Sequence, residues 1–169
     1  VSPGGSVAGP GLVVDLIVNI VFPGRLDHGD ALHRNERRGV VNDDSAVHLR
    51  DADQGKAAVT RWRVIERFRY VTLVECKLET GRTHQIRVHM QWTGHPLFND
   101  AAYGGDRVLK GTTFTKYKQF VENCFKIVPR QALHARTLDF DHPITGKRLH
   151  FESPLPADMQ AVLERWRTY

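Results

Sequence analysis

The sequence predicts an α+β fold, a mixed but mainly antiparallel sheet with flanking helices. Strand-length segments come in adjacent pairs, helical patterns with apolar residues three and four apart lie between and after those pairs, and chain size suits one core. With 169 residues, 41% hydrophobic and 25% charged, the chain can bury that core without a second domain.

The elements follow in order along the chain. Residues 1–54 open with Ser2-Pro3-Gly4-Gly5-Ser6 and contain no lysine. There the run from Leu12 to Phe22 predicts one strand, and the rest, without a helical or strand period, reads as loop or an irregular segment. From Gly55 the pattern becomes regular, so the expected division is an unassigned segment 1–54 and a patterned unit 55–169. Val59 to Phe68 and Tyr70 to Leu78 predict a hairpin, the second strand alternating Tyr70, Thr72, Val74, Cys76 and Leu78 with Leu73, Glu75 and Lys77. After Gly81, Thr83 is the expected cap of a helix with Ile86, His89 or Met90, and Thr93 on its apolar face, stopped by Gly94 with Pro96 beyond. A second helix is expected from Thr115, as N-cap, to about Phe125, with Tyr117, Phe120, Val121, Cys124 and Phe125 inward. Residues 131–140 and 147–153 predict a further strand pair around the Asp141–Gly146 turn, and a last helix from Pro156 buries Met159, Val162, Leu163 and Trp166.

Charge is unevenly placed. Net charge is +5, yet residues 1–54 hold five Lys and Arg against eight Asp and Glu, while residues 55–169 hold nineteen against eleven. A domain with that excess is drawn to polyanions such as nucleic acid, with salt-sensitive binding; a basic protein with no such partner is the plain alternative. Two cysteines, Cys76 and Cys124, in apolar patterns read as reduced buried thiols. The Leu12–Phe22 run, broken by Asp15 and Asn19, is too short for a membrane helix and lacks a basic leader, so neither anchor nor signal peptide is expected.

The densest chemistry lies at residues 79–90, Glu-Thr-Gly-Arg-Thr-His-Gln-Ile-Arg-Val-His-Met. It places two arginines, two histidines and a glutamine around one glycine turn, offering cations and hydrogen-bond donors without a nucleophile. A planar, permanently charged guanidinium such as Arg87 can orient a carboxylate and keep it ionised; the alternative is a structural ion pair. His84, His89, His95 and His134 lack metal-ligand spacing, so no metal is expected. Trp62, Tyr70, Phe114 and Trp166 read as core. Lys110, Lys116, Lys118, Lys126 and Arg130 read as a solvated face or, in an RNA enzyme, as phosphate contacts.

The run Leu78 to His89, with Thr93-Gly94-His95-Pro96-Leu97, Asp100-Ala101-Ala102-Tyr103-Gly104-Gly105, Gln131-Ala132-Leu133-His134-Ala135 and Phe140-Asp141-His142-Pro143, resembles the RluA/RluD-type pseudouridine synthases. The resemblance covers about Gly55 to Trp166. It implies the C-terminal half of that family's catalytic domain and an RNA isomerase that converts uridine to pseudouridine without metal or cofactor. The setting it implies is large-subunit ribosomal RNA; a cytoplasmic monomer is expected. It implies that Arg87 pairs with the nucleophilic aspartate and that Leu133 lines the base pocket. Arg82, His84, Gln85 and His134 are then expected to contact substrate.

The family's nucleophile stands in His-Arg-Leu-Asp, followed two residues later by Thr-Ser-Gly. Here Arg25-Leu26-Asp27 is preceded by Gly24, followed by His28-Gly29-Asp30, and lies only 54 residues before Gly81. Asp27 therefore reads as a chance match, and the family's base-stacking tyrosine has no equivalent before residue 55. Either the chain is the C-terminal part of a larger synthase, or residues 1–54 are unrelated sequence joined to one, as a frame error would produce. Three outcomes are open: a synthase fragment with little activity, a non-catalytic RNA-binding remnant, or a truncation that does not fold.

Overall fold

The computed structural model describes residues 13–21, 39–42 and 46–49 as strands and residues 58–109 and 115–169 throughout. Its strands are β1 (Val13–Val21), β2 (Gly39–Asn42), β3 (Ala46–Leu49), β4 (Ala58–Arg67), β5 (Val71–Leu78), β6 (Leu133–Asp141) and β7 (Arg148–Glu152). They form one sheet in the order β2-β3-β4-β5-β1-β6-β7, and each neighbouring pair is antiparallel. The helices are α1 (Gln85–Trp92), α2 (Thr115–Ile127) and α3 (Ala157–Thr168). This is the expected α+β class.

The hairpin of β4 and β5 closes where the Phe68 N–H donates to Val71 O at 2.9 Å. β5 then lies between β4 and β1, and every residue from Val71 to Cys76 is buried. Alternation along β5 therefore does not separate a wet face from a dry one. Val74 and Cys76 pack with Ile86, Met90 and Leu97, so α1 covers that face. Glu75 and Lys77 point the other way, opposite Arg63 and Arg61.

A second apolar cluster joins Val71 and Phe98 to Tyr117, Val121, Cys124 and Val128 of the α2 region and to Met159, Val162 and Trp166 of α3. α3 buries the four residues its spacing predicts, and burial of each such side chain contributes about 1.5–3 kcal/mol relative to exposure. α2 extends to Ile127, two residues beyond the expected end, with Thr115 as its first helical residue. Both cysteines are buried free thiols, and burial pushes Cys124 up to about 11.

Two local expectations change. β2 and β3 form a pair in the segment read as loop, and β3 also pairs with β4. Strands of four residues are too short for a period-two pattern to register; the neighbouring strand supplies their pairing. At the start of α1 the cap position is His84, in the left-handed region at φ 53°, rather than Thr83. The other end follows its sequence signal: Gly94 sits at φ +81°, its N–H donating to Gln91 O, while the His95 N–H donates to Met90 O at 2.8 Å.

Candidate functional site around Arg87

Arg87 lies in the first turn of α1, and its side chain is only 12% exposed. Its Nε donates to Asp100 Oδ2 at 2.8 Å and its Nη2 to Asp100 Oδ1 at 2.7 Å. This bidentate pair raises the guanidinium pKa further, the hydrogen bonds to Asp100 outweighing the opposing effect of burial. The Tyr103 ring lies 4.7 Å from Cζ and covers one face of the cation. The Tyr103 hydroxyl is 3.0 Å from His84 Nδ1, tying the turn before α1 to the loop after it.

That loop is tightly built. Asn99 adopts φ 57° and its Nδ2 donates to Phe125 O and Val128 O, so it also satisfies carbonyls at the end of α2. The Gly105 N–H donates to Asp100 O at 2.8 Å, and Gly105 O accepts from the Asn99 N–H at 2.9 Å. A Cβ on Gly105 would stand 1.8 Å from Leu97 O, so only glycine fits. Asp100 itself has no exposed side-chain surface. A carboxylate with both oxygens committed to Arg87 and no access to solvent cannot attack a substrate, so Asp100 is a partner of the arginine rather than a nucleophile. Sequence reasoning missed its role, although Asp100 opens the Asp100-Ala101-Ala102-Tyr103-Gly104-Gly105 motif; its distance of 13 residues from Arg87 follows no helical or strand spacing.

The other expected site residues separate. Arg82 and His84 are exposed on the turn, where a ligand can reach them. Gln85 is not placed for substrate: it is 4% exposed, and both ends of its amide are used inside the protein. Its Nε2 donates to Val59 O at 2.9 Å and Thr60 Oγ1 at 3.1 Å, while its Oε1 accepts from Thr80 Oγ1 at 2.7 Å and the Arg82 N–H at 3.1 Å. Gln85 thus pins the turn to β4. Leu133 packs against the cluster beneath α1. His134, the next residue on β6, faces the other side, with Nε2 3.1 Å from Ser153 O. One pocket on the α1 face therefore cannot take both. Asp27, Phe114 and Lys110 lie outside the described residues.

On the sheet face opposite α1, Arg61, Arg63, Lys77 and Arg136 line an open groove of about 320 Å3 with Glu75 and Trp62. Glu75 pairs with Arg63 and, at 3.0 Å, with Arg136. Arg130 holds Asp158 at 2.9 Å and two nearby carbonyls, so its contacts are internal. Lys116, Lys118 and Lys126 are exposed along α2. Trp166 is core as expected, and Trp62 and Tyr70 are partly buried against the two clusters. Among the described residues no group of three His, Cys, Asp or Glu is placed to hold a metal, and no helix is long and apolar enough to cross a membrane.

Residues 19–92 match the RNA pseudouridylate synthase family. The chain belongs to this family. The match begins inside the segment where sequence patterning left no assignment, and it takes in the Arg87 turn. Within this pseudouridine synthase family, similar proteins include ribosomal large subunit pseudouridine synthase D of Pseudomonas aeruginosa, 47% identical over 131 residues, 78% of this chain and 38% of the relative. The same-named proteins of Vibrio parahaemolyticus and Haemophilus ducreyi are 50% and 41% identical over 69% and 86% of this chain, and 34% and 41% of their own lengths. This chain thus spans between about a third and two fifths of the curated relatives it matches. The solved structure of human RNA pseudouridylate synthase domain containing 4 has the same fold, with a TM-score of 0.57 and 19% identity over 92% of this chain and 62% of that one.

Proposed function

We propose that residues 55–169 are the arginine-bearing C-terminal part of a pseudouridine synthase catalytic domain acting on large-subunit ribosomal RNA in the cytoplasm, as a monomer and without metal or cofactor. The observation that carries this reading is the buried, oriented guanidinium of Arg87 inside the family-matched turn. In that reaction a uridine leaves its stack, an aspartate attacks, the glycosidic nitrogen bond breaks and the same ring rejoins through carbon, so nothing is gained or lost overall. Arg87 would orient the aspartate and hold it ionised. Leu133 would line the base pocket, and Arg82 and His84 would meet the RNA.

The 169 residues contain no His-Arg-Leu-Asp and Thr-Ser-Gly motif. A second reading follows, a non-catalytic RNA-binding remnant, favoured by the arginine-lined groove on the sheet face opposite α1. One experiment separates the two: incubate the chain with large-subunit ribosomal RNA and measure both retention and pseudouridine. Binding that weakens steeply with salt and yields little or no pseudouridine is expected. Robust product that survives Asp27→Ala would overturn the inference that the nucleophile is missing. Failure to bind RNA at low salt would overturn both readings.

A further inference from the structure

Arg87 is held in place before any nucleophile is considered. Asp100 occupies its Nε and Nη2 edge in two hydrogen bonds of 2.8 and 2.7 Å, and Tyr103 covers one face at 4.7 Å. Asp100 is in turn fixed by the Gly105 N–H on its carbonyl and by a loop that admits no side chain at position 105. Among the described residues Nη1 has no hydrogen-bond partner, so one corner of the guanidinium is left over.

We propose that Asp100 and Tyr103 are positioning residues that set the direction of Arg87 in advance, so that its remaining Nη1 corner forms a binding point for a second carboxylate. This rests on the reading of Arg87 as the partner of a nucleophilic aspartate and adds to it. The orientation of the arginine belongs to this chain and does not come from the aspartate. A cation already neutralised on one side also binds a second carboxylate reversibly, as a group that must attack substrate requires. Asp100 and Tyr103 act through Arg87 and touch no reacting atom.

The test uses the 169-residue chain, with sodium formate standing in for the second carboxylate and sodium chloride at equal ionic strength as control. Nitrogen-15 NMR follows the Nε and Nη signals of Arg87, with exposed Arg82 as internal reference. In the unsubstituted chain the Arg87 Nε–H should exchange with solvent at least about tenfold more slowly than that of Arg82, as a buried bidentate pair requires. Formate should shift its Nη signal saturably, and chloride should not. Asp100→Asn should bring Arg87 exchange to the Arg82 rate and abolish the formate response, while Tyr103→Leu should weaken both.

A protected Arg87 that ignores formate would make Asp100 a purely structural partner and overturn the proposal. An Arg87 that exchanges like Arg82 would overturn it from the unsubstituted chain alone, whether or not Asp100→Asn folds. None of these signals requires RNA. A chain that passes them but fails to bind ribosomal RNA would refute the functional reading and leave the positioning role standing.

Discussion

At the scale of single residues, the decisive contact is the Arg87–Asp100 pair, with side-chain exposures of 12% and 0%. Removing one partner of such a pair leaves an uncompensated buried charge, which costs about 3–5 kcal/mol. Arg87→Leu should therefore lower the unfolding free energy by that order in urea titration, and a loss comparable to that of an exposed arginine such as Arg82 would contradict the burial. His95 makes a second, independent prediction. Burial pushes its imidazole down to about 4, against an ordinary value of 6.5. Between those values the unfolded chain binds a proton that the folded chain does not, so stability rises with pH there. The contribution is complete above pH 6.5 and is lost as pH falls toward 4, at up to about 1.4 kcal/mol per pH unit. His95→Gln should flatten that part of the stability profile; an unchanged slope would assign it to other groups.

At the scale of elements, the loop from Leu97 to Gly105 matters most, because it carries Asp100 to Arg87 and seals the end of α2 through Asn99. Gly105→Ala places a methyl group 1.8 Å from a backbone oxygen, which the loop can relieve only by moving. A loss of about 1–3 kcal/mol or more is expected, together with faster solvent exchange at the Arg87 Nε–H. Unchanged melting and exchange would show that the loop can shift without disturbing Asp100. The stop of α1 was legible in Gly94 and Pro96 because a left-handed residue after a helix selects glycine. The start was not legible: His84 takes a left-handed conformation with no side-chain cap, and the turn is held by Gln85 reaching back 25 and 26 residues to β4. Read as a polar residue in a functional motif, Gln85 looked available to substrate; only its partners show its amide engaged internally.

At the scale of the whole molecule, the seven strands among the described residues share one sheet, with β1 inserted between β5 and β6. The two apolar clusters beside this continuous sheet predict a single cooperative thermal transition, checked by coincidence of the far- and near-ultraviolet circular dichroism melts. Separate transitions would favour the truncation that does not fold as a unit. The sequence by itself determined the family, through motifs dense enough to be read without coordinates. It also determined three helices, the four strands from β4 to β7, and β1, with ends displaced by up to about two residues, because their periodicity reports burial locally. Only the tertiary structure decided that Arg87 meets Asp100, that Leu133 and His134 face opposite ways, and that four-residue strands extend the sheet. Those outcomes depend on hydrogen bonds and packing between segments distant in sequence, and no local pattern of residues encodes which distant group will fill an unpaired edge.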